Sequence, residues 1–582
     1  MDQKRVFLAI FLSFLVLTVY QIYFISSPPS PAPVTQSPAT SGGQVQTTPS
    51  TAQPAVPLTT PPPVVAPGAA PIISDAAARD ILVETDSVSA VFSTHGASLK
   101  SWRLKHYLED KPQKPAADYQ QKPLELVPTD LPAQYARPFT LATDDAAVSA
   151  TLASALYRPS VDRLTLGAGT GELTFEFSDA SGLVAHKHFR FQPNNTPYVV
   201  VVDATVDVKG AALPVIFDLG PSVAAGYSGQ GSRYAYPPAV SQERDGKVER
   251  FSDSNLQQLS EYTGMMGFAG VGDQYFLSAV IPVFLAPPGA PAARKLTLNY
   301  TPISLPIPGE EAPDKKRTFV AYRVRAAAPS PLAFYLGPKN FDHLRAIDTR
   351  LLQAIDFGMF RVLVVPLLQS LKWINGYIGN FGWSIIVLTL IINLAMFPLR
   401  HRSMISMRKM QALQPQMKAI QDRYAKYKMT DPERGKMQQE LAALYKEKGV
   451  SPAGGCLPML LTMPVLFAFY QMLAVAIELR AAPFAFWITD LAHYDRFYIT
   501  PLLMGGTMFW QQWLMPSTAD PMQKKIFMIM PIAFTFGFLW APSGLVLYWL
   551  MSNLMAIGQQ YVTNRIIGPP PRTLPSIKRK TT

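Results

Sequence analysis

Cysteine is almost absent: the 582 residues contain one, Cys456, which excludes an internal disulfide and any cysteine-rich zinc or iron-sulfur site. Charge is scarce too, at 16% Asp, Glu, Lys and Arg against 48% hydrophobic residues, and mean hydropathy is +0.11. A chain this apolar is expected to meet a membrane. The usual signatures of chemistry are also missing. There is no Gly-x-x-x-x-Gly-Lys-Ser/Thr phosphate loop, no His-Glu-x-x-His pair and no Gly-x-Ser-x-Gly elbow, so neither ATP hydrolysis, zincin chemistry nor a serine hydrolase is suggested. His186 and His188 would share one face of a strand, but no acidic or further histidine partner lies nearby in sequence; they read as exposed strand residues. Cys456 opens an apolar helix without an evident base and reads as a packing residue. No catalytic residue, metal or cofactor is expected.

The net charge of +12 gathers beside apolar segments rather than on a soluble domain, which argues against specific DNA binding. The 54 prolines require a linker. Val6 to Ile25 is an apolar run preceded by Lys4 and Arg5, about the 20 residues of a spanning helix, and reads as an uncleaved transmembrane anchor within residues 1–25. A cleaved signal peptide would show a shorter core and a small-residue cleavage site. Residues 26–71, rich in Pro, Ser and Thr, cannot bury enough apolar surface to fold and read as a disordered tether.

Residues 72–330 change to short alternating runs such as Leu173, Phe175 and Phe177, separated by Gly, Pro, Asn and Asp, the signature of a β-rich domain. Tyr198 to Val202 is a continuous apolar run suited to a strand buried on both faces. Apolar spans follow at about residues 379–399, 457–477, 498–514, 526–540 and 544–562; with the anchor they make six. Phe357 to Ile374 is apolar but interrupted by Arg361, Pro366, Gln369 and Lys372. Were it a span, the basic segment 400–450, with about a dozen Lys and Arg, would lie outside, against the positive-inside rule. The segment 331–378 is therefore expected to carry an interfacial amphipathic helix. Six spans place the basic segment, Lys524, Lys525 and the basic tail 564–582 on the cytoplasmic side, with the β-rich domain outside.

The basic segment repeats Met404, Met407, Met410, Leu413, Met417, Ile420, Tyr424 and Tyr427 at helical spacing, with a kink expected at Pro415. A second helix follows, with Asp431 as N-cap, Pro432 at the first position, Met437, Leu441, Leu444 and Tyr445 as its stripe, and Gly449 as its end. The two stripes predict a helical hairpin, either merely sealed and solvated or serving as a docking arm for a ribosome or partner.

Polar side chains inside apolar spans are costly and usually face an interior or a watery cavity. Asn393 and Arg400 share a face of the second span, with Pro398 between them; Pro464, Phe467 and Gln471 share a stripe on the third. Thr507 and Gln511 lie at i, i+4 on the fourth, and Asn553 and Gln560 at i, i+7 on the last. Singly, each reads as interhelical glue worth about 0.6–2 kcal/mol. Together, stripes on four helices without a ring of charges suggest a wet groove in which a polar peptide segment crosses without fuel.

Several stretches resemble the YidC membrane insertases of Gram-negative bacteria (the YidC/Oxa/Alb family). They are Met1, Asp2 and the anchor, Phe334 to Lys339, Leu413 to Pro415, and Gly454 to Pro458 continuing through Met463 and Pro464. Glu478 to Phe484, Asp520 to Gln523, and Pro542 to Tyr548 with Ser552 and Asn553 complete them. The likeness is strong over Pro331 to Arg565 and rests mainly on layout in the outer domain. It implies a membrane α-helical fold, a five-helix insertase core plus the N-terminal anchor, with a large periplasmic all-β supersandwich. It also implies a non-enzymatic insertase and folding chaperone of the bacterial inner membrane, acting alone or with the Sec translocon on nascent membrane proteins. A hydrophilic groove would open to cytoplasm and lipid. By this resemblance the groove residues would be Asn393, Arg400, Gln471, Thr507, Gln511 and Asn553, and the greasy slide would be Met463, Pro464, Phe467, Phe534 and Phe538. The hairpin and tail would contact the ribosome. One departure stands out: typical members carry an arginine five residues before the proline of the second span, where this chain has Asn393. Arg400, on the same face, is the candidate replacement. The alternatives are a secondary transporter or channel, which should show intramembrane acids or repeats, and an envelope sugar-binding protein acting through its outer domain.

Overall fold

The computed structural model describes residues 69–567 except 110–119, 168, 195, 222, 224–238, 252–255, 257–259, 285–292, 307–315, 327–330, 428–430, 450–456 and 515–520. The expected anchor, nearly all of the tether, Cys456 and the basic tail beyond Ile567 lie outside the described residues.

Residues 71–338 form two β-sheets, one of fifteen strands and one of five. Alternation explains the pairing. In the strand Leu183–Phe191, Leu183, Ala185, Lys187, Phe189 and Phe191 are buried while the residues between them are more open. It pairs antiparallel with Val199–Val208 on one side and Gly171–Asp179 on the other. A one-residue slip would turn the apolar set to water, so the register is fixed. The sheets meet face to face: Phe92 of the small sheet packs against Phe175, Phe189 and Phe191 of the large one, with ring centroids 6.3, 4.8 and 6.2 Å away. Trp102 Nε1 donates across the same gap to the Leu336 carbonyl at 2.9 Å.

Three expectations change here. The domain is not purely β, because helix α1 (Ala146–Ser154) sits in it, capped by the Asp145 carboxylate. His186 and His188 do have acidic neighbours, Glu176 and Glu172 of the adjoining strand; strand pairing, not sequence proximity, brings them together. No three-ligand metal cluster results among the described residues. The sheet also continues past residue 330. Leu332–Pro338 is an inner strand between Val199–Val208 and Phe276–Ile281. All of its residues are buried, so it shows no alternation and resembles the apolar sequence that follows it.

Beyond the sheet come α2 (Phe341–Ile347), α3 (Arg361–Ile378), α4 (Phe381–Arg423), α5 (Pro432–Glu447), α6 (Leu457–Val475), α7 (Ile499–Leu514), α8 (Pro521–Phe538) and α9 (Ser543–Ile567). α3 buries Val364, Leu368, Leu371 and Ile374 against α4 and α6 and leaves Val362, Trp373 and Tyr377 exposed. Among the described residues only α4 is long and apolar enough to cross a membrane by length and composition. α7, with 16 residues, is shorter than the roughly 20 of an untilted crossing.

The expected second span and first hairpin arm are one helix, α4, which runs for 43 residues through Pro398 and Pro415. α5 folds back on it: Ile420, Met437 and Leu441 form a buried cluster flanked by Met417, Tyr424, Leu444 and Tyr445. Glu440 accepts from Arg423 and from the Tyr424 hydroxyl, both at 2.8 Å. Asp431 caps α5, accepting from the Glu433 amide at 3.0 Å with Pro432 in the first turn.

Candidate functional site

A polar line runs along α4. Asn380 starts the helix by accepting from the Gly382 and Trp383 amides, which fixes the rotation of everything downstream. Three turns on, Asn393 is buried. Its Nδ2 donates to the Thr389 carbonyl at 2.8 Å, and its Oδ1 accepts from Arg400 Nη1 at 2.7 Å. Seven residues is two turns, so the arginine lies along the same face and folds back onto the amide. The carbonyl oxygen of Asn393 thereby holds the half-buried guanidinium of Arg400.

α9 lies along both α4 and α7, α8 lies on α7, and α3 bridges α4 and α6. Asn553 of α9 is buried and donates to Thr507 Oγ1 at 3.3 Å and to the Met504 carbonyl at 3.4 Å. Asn553 and Thr507 therefore meet each other across a helix contact. Gly505 lets α8 approach α7 closely, since a Cβ there would fall 1.9 Å from Thr535 Oγ1. Gln511 is partly buried. Gln471 lies elsewhere: its Nε2 donates to the Asp356 carbonyl at 2.6 Å, in the segment that leads into α3.

The sequence reading missed a second polar seam between α4 and α9. His401 Nδ1 is 3.3 Å from Thr563 Oγ1, Arg408 donates to Asn564 Oδ1, and Gln559 Nε2 donates to the Phe397 carbonyl at 3.2 Å. Gln560 Nε2 also bonds Asn564, at 3.1 Å. Arg408, Gln559, Gln560 and Thr563 are all buried. The signal was available: His401 and Arg408 repeat the seven-residue spacing of Asn393 and Arg400 eight positions later, and Gln560 and Asn564 stand four apart.

The apolar candidates separate onto two helices. On α6, Met463 and Pro464 are partly buried, and Phe467 stacks on Phe360, centroids 5.9 Å apart and planes 6° from parallel. On α8, Phe534 and Phe538 pack against Trp549 of α9 at 5.9 and 5.0 Å. Ile529, Ile532 and Phe536 of α8 are more exposed than either. Among the described residues α6 and α8 are not one of the closely packed helix pairs. The arrangement can shelter polar groups and offer apolar surface.

Comparison with known proteins adds three findings. Residues 373–569 match the family described as 60Kd inner membrane protein, and residues 80–370 match the YidC periplasmic domain. The membrane protein insertase YidC of Geobacter metallireducens is 36% identical over 568 residues, covering 97% of this chain and 99% of that protein. That of Syntrophus aciditrophicus is 33% identical over 584 residues with the same coverage. A crystal structure of an active YidC insertase with its first transmembrane domain resolved aligns over 85% of this chain and 94% of that one, at 18% identity and a TM-score of 0.33. With family matches to both halves of the chain and full-length relatives above 30% identity, the chain belongs to the YidC family of membrane protein insertases.

Proposed function

We propose that this insertase passes the polar segments of newly made membrane proteins along the face of α4 and α9 marked by Asn393, Arg400, Asn553 and Gln560, and releases their apolar segments to lipid between α6 and α8. A charged residue taken into hydrocarbon costs about 2.5–3.5 kcal/mol. A hydrated polar face lowers that cost, while burial of the client's apolar span supplies the driving force without ATP. Arg400 stands in for the family's groove arginine, reaching back from two residues past Pro398. Gln511 extends the same face on α7, whereas Gln471 serves the outer end of α6. Met463, Pro464 and Phe467 on one side of the opening, and Phe534 and Phe538 on the other, guide the client span outward.

In this reading the chain spans the inner membrane six times, with both termini, the α4–α5 hairpin and the basic tail in the cytoplasm and the β-domain in the periplasm. The hairpin and tail meet the ribosome, and the Sec translocon is a partner for larger clients. The single observation that carries the reading is the hydrogen bond between buried Asn393 and half-buried Arg400 on α4, which among the described residues is the one helix long and apolar enough to cross a membrane. A photoreactive residue at Met463, with a ribosome-held nascent span as target, tests it. Crosslinks to the span are expected, and a chain that complements depletion of the host insertase yet never crosslinks there would overturn the assignment of this face.

A further inference from the structure

The chain's Phe334 to Lys339 motif and its Glu478 to Phe484 motif are remote in sequence but meet at one place, the tight turn 273–276 of the β-domain. Asp273 is buried, and its Oδ1 accepts from the Tyr275 and Phe276 amides at 2.8 and 2.7 Å, which fixes the turn. Lys339 holds it from behind. Its Nζ donates to the Asp273 carbonyl at 2.7 Å and its amide to the Tyr275 carbonyl at 2.6 Å. Gly272 makes the room, because a Cβ there would stand 2.9 Å from Lys339 Cε and 3.0 Å from Nζ.

What the rigid turn presents is Gln274. Its Nε2 donates to the Ala474 carbonyl, one of the last four carbonyls of α6, which ends at Val475 and so leaves its terminal acceptors to outside donors. The cap of this apolar helix therefore comes from another domain, 200 residues earlier in the chain. Neighbouring contacts reinforce it. The Arg480 guanidinium lies 5.4 Å from the centroid of the Phe276 ring. Asn340 Nδ2 donates to Glu478 Oε1 at 3.2 Å, and Lys372 of α3 lies 3.4 Å from the same carboxylate. On the flank of α6, Gln471 and Phe467 are held by Asp356 and Phe360.

The geometry points to Gln274 as a positioning residue for insertion: the β-domain turn 273–276 caps α6 and sets how far its client-facing surface stands from α9. The inference rests on α6 being client-facing, and it gives the outer domain a part in the membrane step.

The test uses the full-length chain in a Cys456→Ser background. Spin labels at Met463→Cys on α6 and Leu554→Cys on α9 report the helix separation without any client. Gln274→Glu keeps the size of the side chain but cannot donate to a carbonyl; Gln274→Ala removes the cap. Both variants are expected to shift or broaden the distance distribution. Both should also lower crosslinking of a ribosome-held nascent span to a photoprobe at Phe467 about threefold or more, while a photoprobe at Phe534 on α8 keeps its yield. Gln274→Lys, which restores a donor, should recover both readouts. Unchanged distances in Gln274→Glu and Gln274→Ala overturn the inference. An equal fall at Phe467 and Phe534 also overturns it, because that is general damage rather than repositioning of α6. If the unaltered chain gives no crosslink at either probe, the client-facing reading of α6 fails, and the label distances still decide whether Gln274 sets the helix.

Discussion

Arg400 Nη1 donates to Asn393 Oδ1 at 2.7 Å, so the two polar residues of α4 form one unit rather than two independent sites. A hydrogen bond to a charged group contributes about 1.5–3 kcal/mol. Removing either partner therefore removes most of what the pair provides.

The resulting expectation is non-additive. Arg400→Ala should slow insertion of a client with a charged translocated tail about tenfold, on the scale of 1.4 kcal/mol per tenfold. Asn393→Ala should do nearly as much, by freeing the guanidinium to turn toward the helix end. The double variant should be no worse than Arg400→Ala alone. Complementation of a depletion strain, with insertion rates for that client, measures all three. Additive losses would mean that the two side chains act separately.

A second expectation concerns Lys187, the one inward-facing position of its strand that is not apolar. Its ammonium is fully buried between the sheets and donates to the Gly96, Ala97 and Phe139 carbonyls at 2.7, 2.9 and 2.7 Å, with the Tyr157 ring 5.2 Å away. It ties the two sheets by satisfying three backbone acceptors at once. Lys187→Met keeps the length of the side chain but strands those carbonyls, each costing about 1–3 kcal/mol, partly offset by no longer burying a charge. A net loss of about 3 kcal/mol is expected, which lowers the unfolding midpoint of a domain this size by roughly 6–12 °C. Thermal unfolding of the purified chain, followed by β-sheet circular dichroism, reads it. A midpoint unchanged within a degree or two would show the charge to be dispensable.

The legible part of the sequence was whatever shows a period. Leu173, Phe175 and Phe177 alternate and are strand; Met437, Leu441, Leu444 and Tyr445 recur by helical turns and are the hairpin seal. The strand Leu332–Pro338 was illegible because burial on both faces removes alternation, and it ran unmarked into the apolar sequence beyond. Within the candidate site, same-helix spacing found Asn393 with Arg400. Contacts between helices had no such signal: Asn553 with Thr507 and Arg408 with Asn564 depend on which helices pack. The partner of Gln471 was hidden for the same reason, since the neighbour it meets is the segment before α3.

The pH dependence of stability follows from the buried lysines. Burial pushes the Lys339 ammonium down from 10.5 to about 8, although Asp273 and Asp356 pull it upward and Arg250 adds to the lowering. Between about pH 8 and 10.5 the unfolded chain then holds the extra proton, so this group makes the folded state more stable as pH rises through that window, by at most about 1.4 kcal/mol per pH unit. Lys187, pushed down by burial as well, acts in the same direction. Buried tyrosines such as Tyr300 and Tyr335 are pushed up and oppose the trend only above pH 10. The unfolding midpoint should therefore climb between pH 8 and 9.5, and Lys339→Met should flatten the climb. A midpoint that falls over this range in the unaltered chain would contradict the buried placement of both amines.

The end point chosen for deleting the β-domain should matter more than its size. Cutting out residues 72–330, the region marked by alternation in the sequence, would leave Leu332, Ala333, Phe334, Tyr335 and Leu336 attached to α2. All five are buried in the intact chain and paired to strands that would be gone. An unpaired apolar strand of this kind is a template for aggregation. Extending the deletion through Pro338 removes it and keeps Asn340, which caps α2 by accepting from the Asp342 and His343 amides at 3.0 and 3.1 Å and also holds Glu478. The longer deletion should accumulate in membranes severalfold better than the shorter one, as read by immunoblot of membrane fractions at equal expression. Substituting Phe334 and Leu336 by Ser in the shorter deletion should recover much of the difference, because the liability lies in those side chains and not in the lost mass. Equal accumulation of both deletions would mean that the strand finds another partner once its own sheet is removed.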